Sequence, residues 1–398
     1  MKFLSTHTRK QGSFHQKIAC SPAFRGRICG KALPCGAEVT GNRDIPVAAA
    51  APESGVGVAM SQAVVIGAGL AGIAAAQTLR SRGHDVRILE RAGGYGGRLS
   101  TRRVESGAVD CGAPFFTMRD PQFQSVLGPL VDAGQIVPWA DRLHRWDGAR
   151  LTADPLTAVE RRWAAPEGME SLATRLAAEV PVALGVEVRS LSPLGRGWRV
   201  HSWEVTQGSP RTDDADVLVV AVPAPRALEL LGSAPDLIDR AITEELGRVR
   251  FDRCLVVLAG YGAEARPQWR AIASTAEPLQ WIGLESSKRA ASEVLIAAHA
   301  TGAWSAEHWD DPHADVATSL LHAASLAGGP FLAGPRWFQV ERWRHAKPTV
   351  LATARALLSE HDHRPVVFCG DWCLAPRVES AWLSGAAAAE RLVFAGYA

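Results

Sequence analysis

The sequence GAGLAG at residues 67–72 constrains the fold of this chain more than any other segment. It follows a short β-rich run at residues 63–66 and precedes an alanine-rich stretch, residues 71–82, whose composition is typical of a helix. A second β-rich run at residues 86–90 completes a strand, helix, strand unit of about thirty residues. We therefore expect an α/β fold that opens with a Rossmann-like domain.

The glycines of this G-x-G-x-x-G motif each have a task in binding a dinucleotide. Gly67 permits a tight turn, Gly69 lets backbone N–H groups approach a pyrophosphate, and Gly72 allows close packing of helix on sheet. Glu90 ends the second strand eighteen residues after Gly72 and is expected to accept hydrogen bonds from ribose hydroxyls. A plain glycine-rich turn is the alternative, but a strand, a helix and an acid in register favour dinucleotide binding.

The next loop, ERAGGYGGR at residues 90–98, distinguishes FAD from NAD. Its paired glycines allow the backbone to run close to a cofactor, and Arg98 offers a guanidinium suited to a diphosphate. The alternative is a surface loop with a solvated arginine. The spacing from Glu90 to Gly-Gly-Arg resembles the second FAD fingerprint of the superfamily of amine oxidases, phytoene desaturases and protoporphyrinogen oxidases. That resemblance implies FAD as the cofactor, within an amine-oxidase-like fold.

Two more segments resemble renalase-like flavoproteins of the same superfamily. Residues 108–117, AVDCGAPFFT, resemble a D-x-G-A-x-Y-F-T block, with Phe115 in place of tyrosine. Residues 370–385, GDWCLAPRVESAWLSG, resemble that family's G-D-W and R-V-E-x-A-W-L-S-G signature, with Pro376 in place of a glycine. The resemblance covers about residues 62–395.

The resemblance also implies which residues contact a non-covalently bound FAD. Asp371 would reach the ribityl or pyrophosphate region, and a helix opening near Val378 and Glu379 would direct its positive end at the flavin N1 and O2 edge. Val188 either borders the adenine or is an ordinary core valine. The complete expected set is Gly67, Gly69, Leu70, Ala71, Gly72, Glu90, Arg91, Gly97, Arg98, Pro114, Phe115, Val188, Gly370, Asp371, Val378 and Glu379.

Renalase-like proteins are associated with oxidising dihydro isomers of NAD(P)H to NAD(P)+, with electrons passing through FAD to oxygen and giving hydrogen peroxide. Loss of one hydride makes the ring aromatic, so this chemistry needs no general base, and positioning supplies the catalysis. The sequence therefore predicts substrate-positioning residues instead of a catalytic acid or base. The candidates, each of which has core packing as its alternative role, are His299, Trp304, Trp343, Trp372 and Trp382.

Two other functions remain open at this point. Amine oxidases share the FAD scaffold and typically place a lysine near flavin N5, but after residue 60 this chain has only Lys288 and Lys347, and Lys288 falls in a segment that resembles renalase-like proteins. A covalent flavin through Cys373 is disfavoured because its loop resembles that of non-covalent relatives. An FAD- or NAD-binding regulatory protein without turnover is the third hypothesis, because a fold and a cofactor do not prove a reaction.

The order of elements predicts two interleaved domains. We assign residues 60–120, 163–225 and 361–398 to the FAD-binding domain, and residues 121–162 and 226–360 to an α+β substrate domain. Residues 1–59 lack periodicity, and their first 37 residues contain seven Lys or Arg and no acid. We interpret them as a disordered extension, either a start codon assigned too early or a transit peptide. Further patterning predicts strands at residues 180–191, 198–205, 216–223 and 365–369 and a helix at residues 378–393.

Composition excludes several classes of partner. The chain has 43 Lys or Arg and 41 Asp or Glu, a net charge of +2 that creates no strong field for nucleic acid or an anionic membrane. We expect no membrane-spanning segment, since no apolar run reaches the roughly 18 residues needed. The seven cysteines lack zinc spacing, so we expect no metal and a cytoplasm-like compartment. The expected partners are a small-molecule substrate and oxygen.

Overall fold

The structure, a computed structural model, describes residues 61–232, 235–265 and 267–398. The predicted disorder of residues 1–59 lies outside this range. The helices are α1 (Leu70–Ser81), α2 (Pro121–Asp132), α3 (Met169–Leu176), α4 (Ala224–Leu231), α5 (Arg240–Arg248), α6 (Gly302–Glu307), α7 (His313–Gly328) and α8 (Val378–Phe394). The strands are β1 (Gln62–Ile66), β2 (Asp85–Glu90), β3 (Thr101–Val104), β4 (Gly107–Asp110), β5 (Val137–Ala140), β6 (Arg142–Trp146), β7 (Leu151–Pro155), β8 (Arg162–Ala164), β9 (Val182–Leu184), β10 (Val186–Leu194), β11 (Gly197–Glu204), β12 (Ser209–Ala215), β13 (Val217–Val220), β14 (Arg250–Tyr261), β15 (Ala271–Ser274), β16 (Leu279–Leu284), β17 (Val294–Ala300), β18 (Trp337–Val350), β19 (Leu357–Ser359) and β20 (Val366–Phe368).

The predicted Rossmann-like opening is confirmed. β1 pairs in parallel with β2, and α1 connects them. The helix begins at Leu70, one residue before the predicted start. From Ala63 onward β1 is buried on both faces, which is why its sequence is a continuous apolar run and not an alternating one.

A six-stranded sheet carries the opening unit, in the order β19-β20-β13-β1-β2-β9. All its pairings are parallel except that of β19 with β20. The chain leaves β1 towards β2 on one side and returns later to β13 on the other. The strand order thus reverses at β1, and the carboxyl end of a strand at such a switch point is the usual place for a ligand.

The strand predicted at residues 180–191 is two strands in the structure. β9 joins the six-stranded sheet, whereas β10 belongs to a three-stranded antiparallel sheet with β11 and β12. Gly185 separates them with a φ of 71°, a left-handed conformation that ends one strand and turns the chain into the next. β12 was not predicted, because its polar sequence SPRTDDA lacks the usual strand pattern.

A separate sheet has seven strands, in the order β18-β14-β17-β16-β15-β6-β7. Its strands lie in residues 142–350, inside the segments assigned to the substrate domain. The central strands β14 and β17 are largely buried, and α7 packs against them through its apolar side. β19 pairs with the six-stranded sheet although it precedes the predicted boundary at residue 361, because it supplies the edge strand beside β20.

The last helix packs directly against the first. A Cβ atom at Gly385 of α8 would overlap the carbonyl oxygen of Ala71 in α1, so a glycine is needed there for the two helices to approach. This contact brings the N-terminus of α8 to the same cavity as the N-terminus of α1. In the described part of the chain, none of the helices has the length and apolar character required to cross a membrane.

Candidate functional site

A cavity of about 960 Å³ lies at the carboxyl ends of β1 and β2. Its walls include the glycine turn after β1, the loop after β2 and parts of β14 and β18. Of the sixteen residues expected to contact FAD, all except Gly72 and Glu379 line this cavity. Its volume is at the upper end of the range of about 300 to 1,000 Å³ found for small-molecule and cofactor pockets.

The glycine turn forms a cradle on one wall of the cavity. Gly67 has a φ of 104°, and a Cβ there would lie 2.9 Å from the carbonyl oxygen of Ala221. A Cβ at Gly69 would meet no protein atom within 4 Å, since it would project into the cavity. The N-terminus of α1 follows without a side-chain cap, so its backbone N–H groups suit an anion such as a diphosphate. Gly72 instead contacts the turn itself, because a Cβ there would overlap the carbonyl oxygen of Gly67.

Glu90 connects the two glycine-rich segments. Its Oε2 accepts a hydrogen bond from the backbone N–H of Ala68 at 2.7 Å, and its Oε1 accepts one from Ala92 at 2.7 Å. The backbone N–H of Gly96 donates to the Ala68 carbonyl at 2.9 Å. A carboxylate has about four acceptor positions, so the two bonds leave Glu90 able to accept from ribose hydroxyls.

Arg98 and Asp371, which were expected to contact the cofactor separately, form an ion pair with each other. Arg98 Nη1 and Nη2 donate to the two carboxylate oxygens of Asp371 at 2.9 and 2.6 Å, a bidentate geometry. Nη1 also donates to the Ala346 carbonyl at 3.2 Å. A guanidinium has five N–H donors, so Arg98 keeps two for a ligand. The pairing orients both side chains at the cavity wall before any ligand binds.

The N-terminus of α8 meets the cavity at Val378, whereas Glu379 is not part of the lining. Val378 lines the cavity, and the helix begins without a side-chain cap. The Glu379 carboxylate is buried elsewhere, where it accepts from the backbone N–H groups of Arg119 at 2.5 Å and Asp120 at 2.6 Å. Consecutive helical side chains point about 100° apart, so neighbouring residues at a helix start face different surroundings. Glu379 therefore holds the backbone of Arg119 and Asp120, immediately before α2, in place.

Trp304 and Trp382, two of the predicted positioning residues, do not line the cavity. Trp304 stacks on the His308 ring with centroids 4.3 Å apart, beside the core of the seven-stranded sheet. Trp382 packs against Phe123 with ring centroids 5.9 Å apart, in the core beneath α1 and α8. Both rings pack against apolar neighbours, which is the packing role that the sequence left open for them, although the buried Nε1 of Trp382 has no hydrogen-bond partner among the described residues.

Trp343, Trp372 and His299 do line the cavity. The indole N–H of Trp343 donates to the Cys111 carbonyl at 2.7 Å, which fixes the plane of the ring. Trp372 is fully buried, and its N–H donates to the Val222 carbonyl at 3.2 Å. The two tryptophans thus have satisfied polar atoms. The partly exposed Trp343 ring offers a surface to a ligand, whereas the Trp372 ring packs in the core behind the cavity wall.

His299 differs because its ring is not satisfied. It lies on β17 and is 8% exposed, and its Nε2 has no hydrogen-bond partner within the described ranges. Burial, with a smaller contribution from the positive charge of Lys288, lowers the pKa of His299 to about 3. A neutral imidazole with an unpaired buried nitrogen therefore forms part of the cavity wall, and such groups call for an explanation in terms of a ligand or water.

A buried cluster of four charges was not anticipated from the sequence. Lys288 Nζ donates to Asp110 at 3.0 Å and to Glu285 at 2.6 Å, and Arg289 Nη2 donates to Asp110 at 2.6 Å. Although burial opposes ionisation, Lys288 and Arg289 hold the pKa of Asp110 well below its usual value. Burial raises the pKa of Glu285 to about 7 against the attraction of Lys288. Asp110 and Lys288 both lie in segments noted for their family resemblance, but no sequence signal pairs them.

The cavity is basic. Its lining includes nine Lys or Arg side chains and five Asp or Glu side chains. Arg253, Arg344 and Lys347 belong to this lining, and none of them forms an ion pair with a carboxylate of the described chain. Uncompensated cations in a concave site attract anions and repel cations. No group of three or more His, Cys, Asp or Glu in residues 61–232, 235–265 and 267–398 is arranged to hold a metal ion.

The chain matches two known protein families and part of one curated protein. A model described as flavin containing amine oxidoreductase matches residues 140–393, and one described as NAD(P)-binding Rossmann-like domain matches residues 65–130. Hydroxyneurosporene desaturase from Rubrivivax gelatinosus is 43% identical over 56 residues. That match spans 14% of this chain and only 11% of the desaturase.

Solved structures with the same fold include several oxidases. A triple mutant of putrescine oxidase with redesigned cofactor binding gives a TM-score of 0.66 at 13% identity, covering 84% of this chain and 99% of that one. A putative protoporphyrinogen oxidase from Exiguobacterium sp. 255-15 gives 0.67 at 12% identity, covering 85% and 100%. Cyclohexylamine oxidase from Brevibacterium oxydans IH-35A gives 0.63 at 13% identity, covering 84% and 99%. Identities this low establish a shared fold and leave the substrate open.

Proposed function

The chain belongs to the flavin-containing amine oxidoreductase family, and we propose that it oxidises dihydro isomers of NAD(P)H to NAD(P)+ with a non-covalently bound FAD. The observation that carries this proposal is the basic cavity, with nine Lys or Arg side chains against five Asp or Glu. A dihydronicotinamide nucleotide is anionic through its phosphates, so it complements this lining. When bound, FAD supplies the hydride acceptor and passes the electrons to oxygen.

The residues of the glycine turn and of the two helix N-termini suit FAD. The open space at the Cβ position of Gly69 and the uncapped start of α1 would hold the diphosphate, and Glu90 the adenosine ribose. The uncapped start of α8 at Val378 would stabilise negative charge on the flavin ring. Cys373 is no candidate for a covalent link, because it does not line the cavity and burial raises its pKa to about 12.

The chain's own part in the reaction is to orient the dihydropyridine ring. Trp343 has its indole plane fixed by the bond to Cys111, so it offers a rigid face for stacking. His299 offers an unpaired ring nitrogen for a polar group of the substrate, such as a carboxamide. Holding the donor carbon at the correct distance and angle is sufficient, because hydride loss needs no proton acceptor.

A second candidate function, oxidation of an amine, has one observation in its favour. Lys347 lines the cavity, so a lysine is available there, whereas Lys288 is fully enclosed in the buried charge cluster. An amine is mostly protonated near neutral pH, so the basic lining opposes its binding. This opposition makes the dihydronicotinamide the better-supported substrate.

Anaerobic stopped-flow mixing separates these functions. We expect 2- or 6-dihydro-NADP to bleach the bound flavin in a single turnover and to leave NADP+, identified by chromatography. Putrescine and cyclohexylamine serve as the amine arm, measured from pH 7 to 10 because an amine reacts in its neutral form. Bleaching by the amines alone would establish the second function, and absence of bleaching by either class would favour a regulatory protein without turnover.

His299 provides a prediction about pH. Because its pKa lies near 3, its charge stays constant between pH 6 and 8, and flavin reduction by saturating dihydro-NADP should vary less than about threefold in this range. Replacing His299 with leucine should slow reduction at least about tenfold by loosening substrate orientation, with the profile still flat. A step in the wild-type rate near pH 6.5 that disappears in the variant would mean that His299 titrates during the reaction.

The lowered pKa of His299 also predicts that the stability of the protein depends on pH. Unfolded histidine takes up a proton near pH 6.5, whereas folded His299 takes it up only near pH 3. The unfolded state therefore binds more protons between these values. The stability associated with neutral His299 is therefore complete above pH 6.5 and is lost as the pH falls through this window. Urea denaturation of the wild type and of His299→Leu at pH 7 and pH 5 measures this loss, which the variant should lack.

A further inference from the structure

A second cavity of about 370 Å³ adjoins the large one. It lies between α4, the end of α5 and the start of β14, with two residues of β18 completing its wall. Arg253, Arg344 and His345 line both cavities, so these side chains lie at the boundary between the two spaces. A ligand that occupied both cavities would pass these side chains.

The lining of the second cavity combines cations with an apolar floor. Arg250, Arg253 and Arg344 are its charged residues, and the lining contains no Asp or Glu. Arg253 stacks over the Trp309 ring at 4.8 Å, and Arg250 donates only to backbone carbonyls. The apolar part is formed by Pro225, Leu228, Leu246, Val249 and Phe251.

Arginine side chains without carboxylate partners are suited to phosphate, which they bind through charge-assisted hydrogen bonds. An adjoining apolar surface with an aromatic ring is suited to a planar base. Phe251 and His345 have ring centroids 5.7 Å apart at an interplanar angle of 68°, so together they form one corner of this space. Arginines that can bind phosphate, next to an apolar space that can hold a base, are characteristic of a nucleotide-binding subsite.

The residues expected to contact FAD do not line this cavity, whereas fourteen of the sixteen line the large one. Arg98 comes nearest, with its guanidinium 5.8 Å from the Phe251 ring. The ligand that reaches the second cavity is then the substrate, entering from the side of β14 and β18. The boundary with the large cavity at Arg253 and Arg344 is where a chain of phosphates would pass.

We infer that the second cavity binds the adenosine phosphate half of a dinucleotide substrate, with Arg250, Arg253 and Arg344 as its phosphate ligands. This inference rests on the proposed function, whose substrate is already a dinucleotide, and adds to it the site that holds the adenosine phosphate half. A nicotinamide mononucleotide carries the same reacting ring without that half, so a preference for the dinucleotide measures contacts away from the reaction.

The test compares anaerobic flavin reduction by a dihydro-NADP isomer and by the matching dihydro-NMN isomer. We expect the wild-type rate constant for flavin reduction divided by the substrate Kd to be at least about tenfold higher for the dinucleotide. This preference should fall about 5- to 10-fold in Arg344→Ala and in Arg250→Ala. Arg250 is the sharper probe because it lines only the second cavity. Arg240→Ala is the matched control, since Arg240 pairs with Glu244 on the exposed side of α5 and lines neither cavity.

Flavin content is measured in every variant from its absorbance per mole of protein. A wild-type ratio near one, or a ratio that neither arginine variant changes, would overturn the inference while leaving dihydronicotinamide oxidation in place. Loss of FAD from the variants would also overturn it, by assigning the second cavity to the cofactor. Failure of both substrates to bleach the flavin would instead reject the proposed function on which it rests.

Discussion

Replacing Lys288 with methionine is expected to lower the free energy of unfolding by about 3 to 5 kcal/mol. The Lys288 side chain is fully buried between Asp110 and Glu285, at 3.0 and 2.6 Å. Methionine has a similar length but no charge, so the two carboxylates would be left with Arg289 alone. An uncompensated buried charge costs far more than the loss of an exposed ion pair. Urea denaturation followed by tryptophan fluorescence measures the change.

Lys347 provides the matched control for this substitution. It is exposed and forms no ion pair in the described part of the chain, so Lys347→Met should change stability by less than about 0.5 kcal/mol. Adding Glu285→Gln to Lys288→Met should recover part of the loss, because it removes one of the negative charges that Lys288 neutralised. A loss below about 1 kcal/mol for Lys288→Met would contradict the balance of charges described for the cluster.

Replacing Gly69 with valine is expected to weaken FAD binding at least about 100-fold while leaving the protein folded. A side chain at residue 69 meets no protein atom within 4 Å and occupies the space assigned to the diphosphate. The backbone N–H groups at the start of α1 could then no longer approach it. Flavin absorbance per mole of purified protein and titration of the apoprotein with FAD measure the loss, and circular dichroism reports the fold.

Gly128→Val is the corresponding control. Gly128 lies in α2, where a Cβ also meets nothing within 4 Å, but it does not line the cavity. This variant should retain its full complement of FAD. Full flavin occupancy in Gly69→Val would mean that the diphosphate does not bind at the glycine turn. Equal losses of FAD in both variants would indicate a general folding defect.

The Rossmann-like unit of β1, α1 and β2 was predictable because its structure depends on residues that are close together in the sequence. The positions of Gly67, Gly69 and Glu90 follow from the geometry of one strand, one turn and one helix, all within about thirty residues. The cavity lining by Pro114, Phe115 and Asp371 was expected only from resemblance. Spacing alone would not have brought those segments to the glycine turn.

The parts that were missed depend on contacts between distant segments. Asp110 meets Lys288 across 178 residues, and Arg98 meets Asp371 across 273. Each partner has its own plausible local role, so the pairing emerges only when the strands are placed side by side. Glu379 illustrates the same limit at short range, because it follows Val378 in the same helix and yet does not line the cavity, and its carboxylate accepts hydrogen bonds at the start of α2.

The strand order of the six-stranded sheet has a consequence for biosynthesis. β20 and α8 complete the layer around the glycine turn, yet they are translated after nearly all of the other described elements. On the ribosome, the segment from β1 to β2 therefore emerges long before Asp371 and Val378 can close the opposite wall. We therefore expect cofactor loading to be complete only after translation of α8. Protein truncated before that helix should be isolated with less FAD than the full chain.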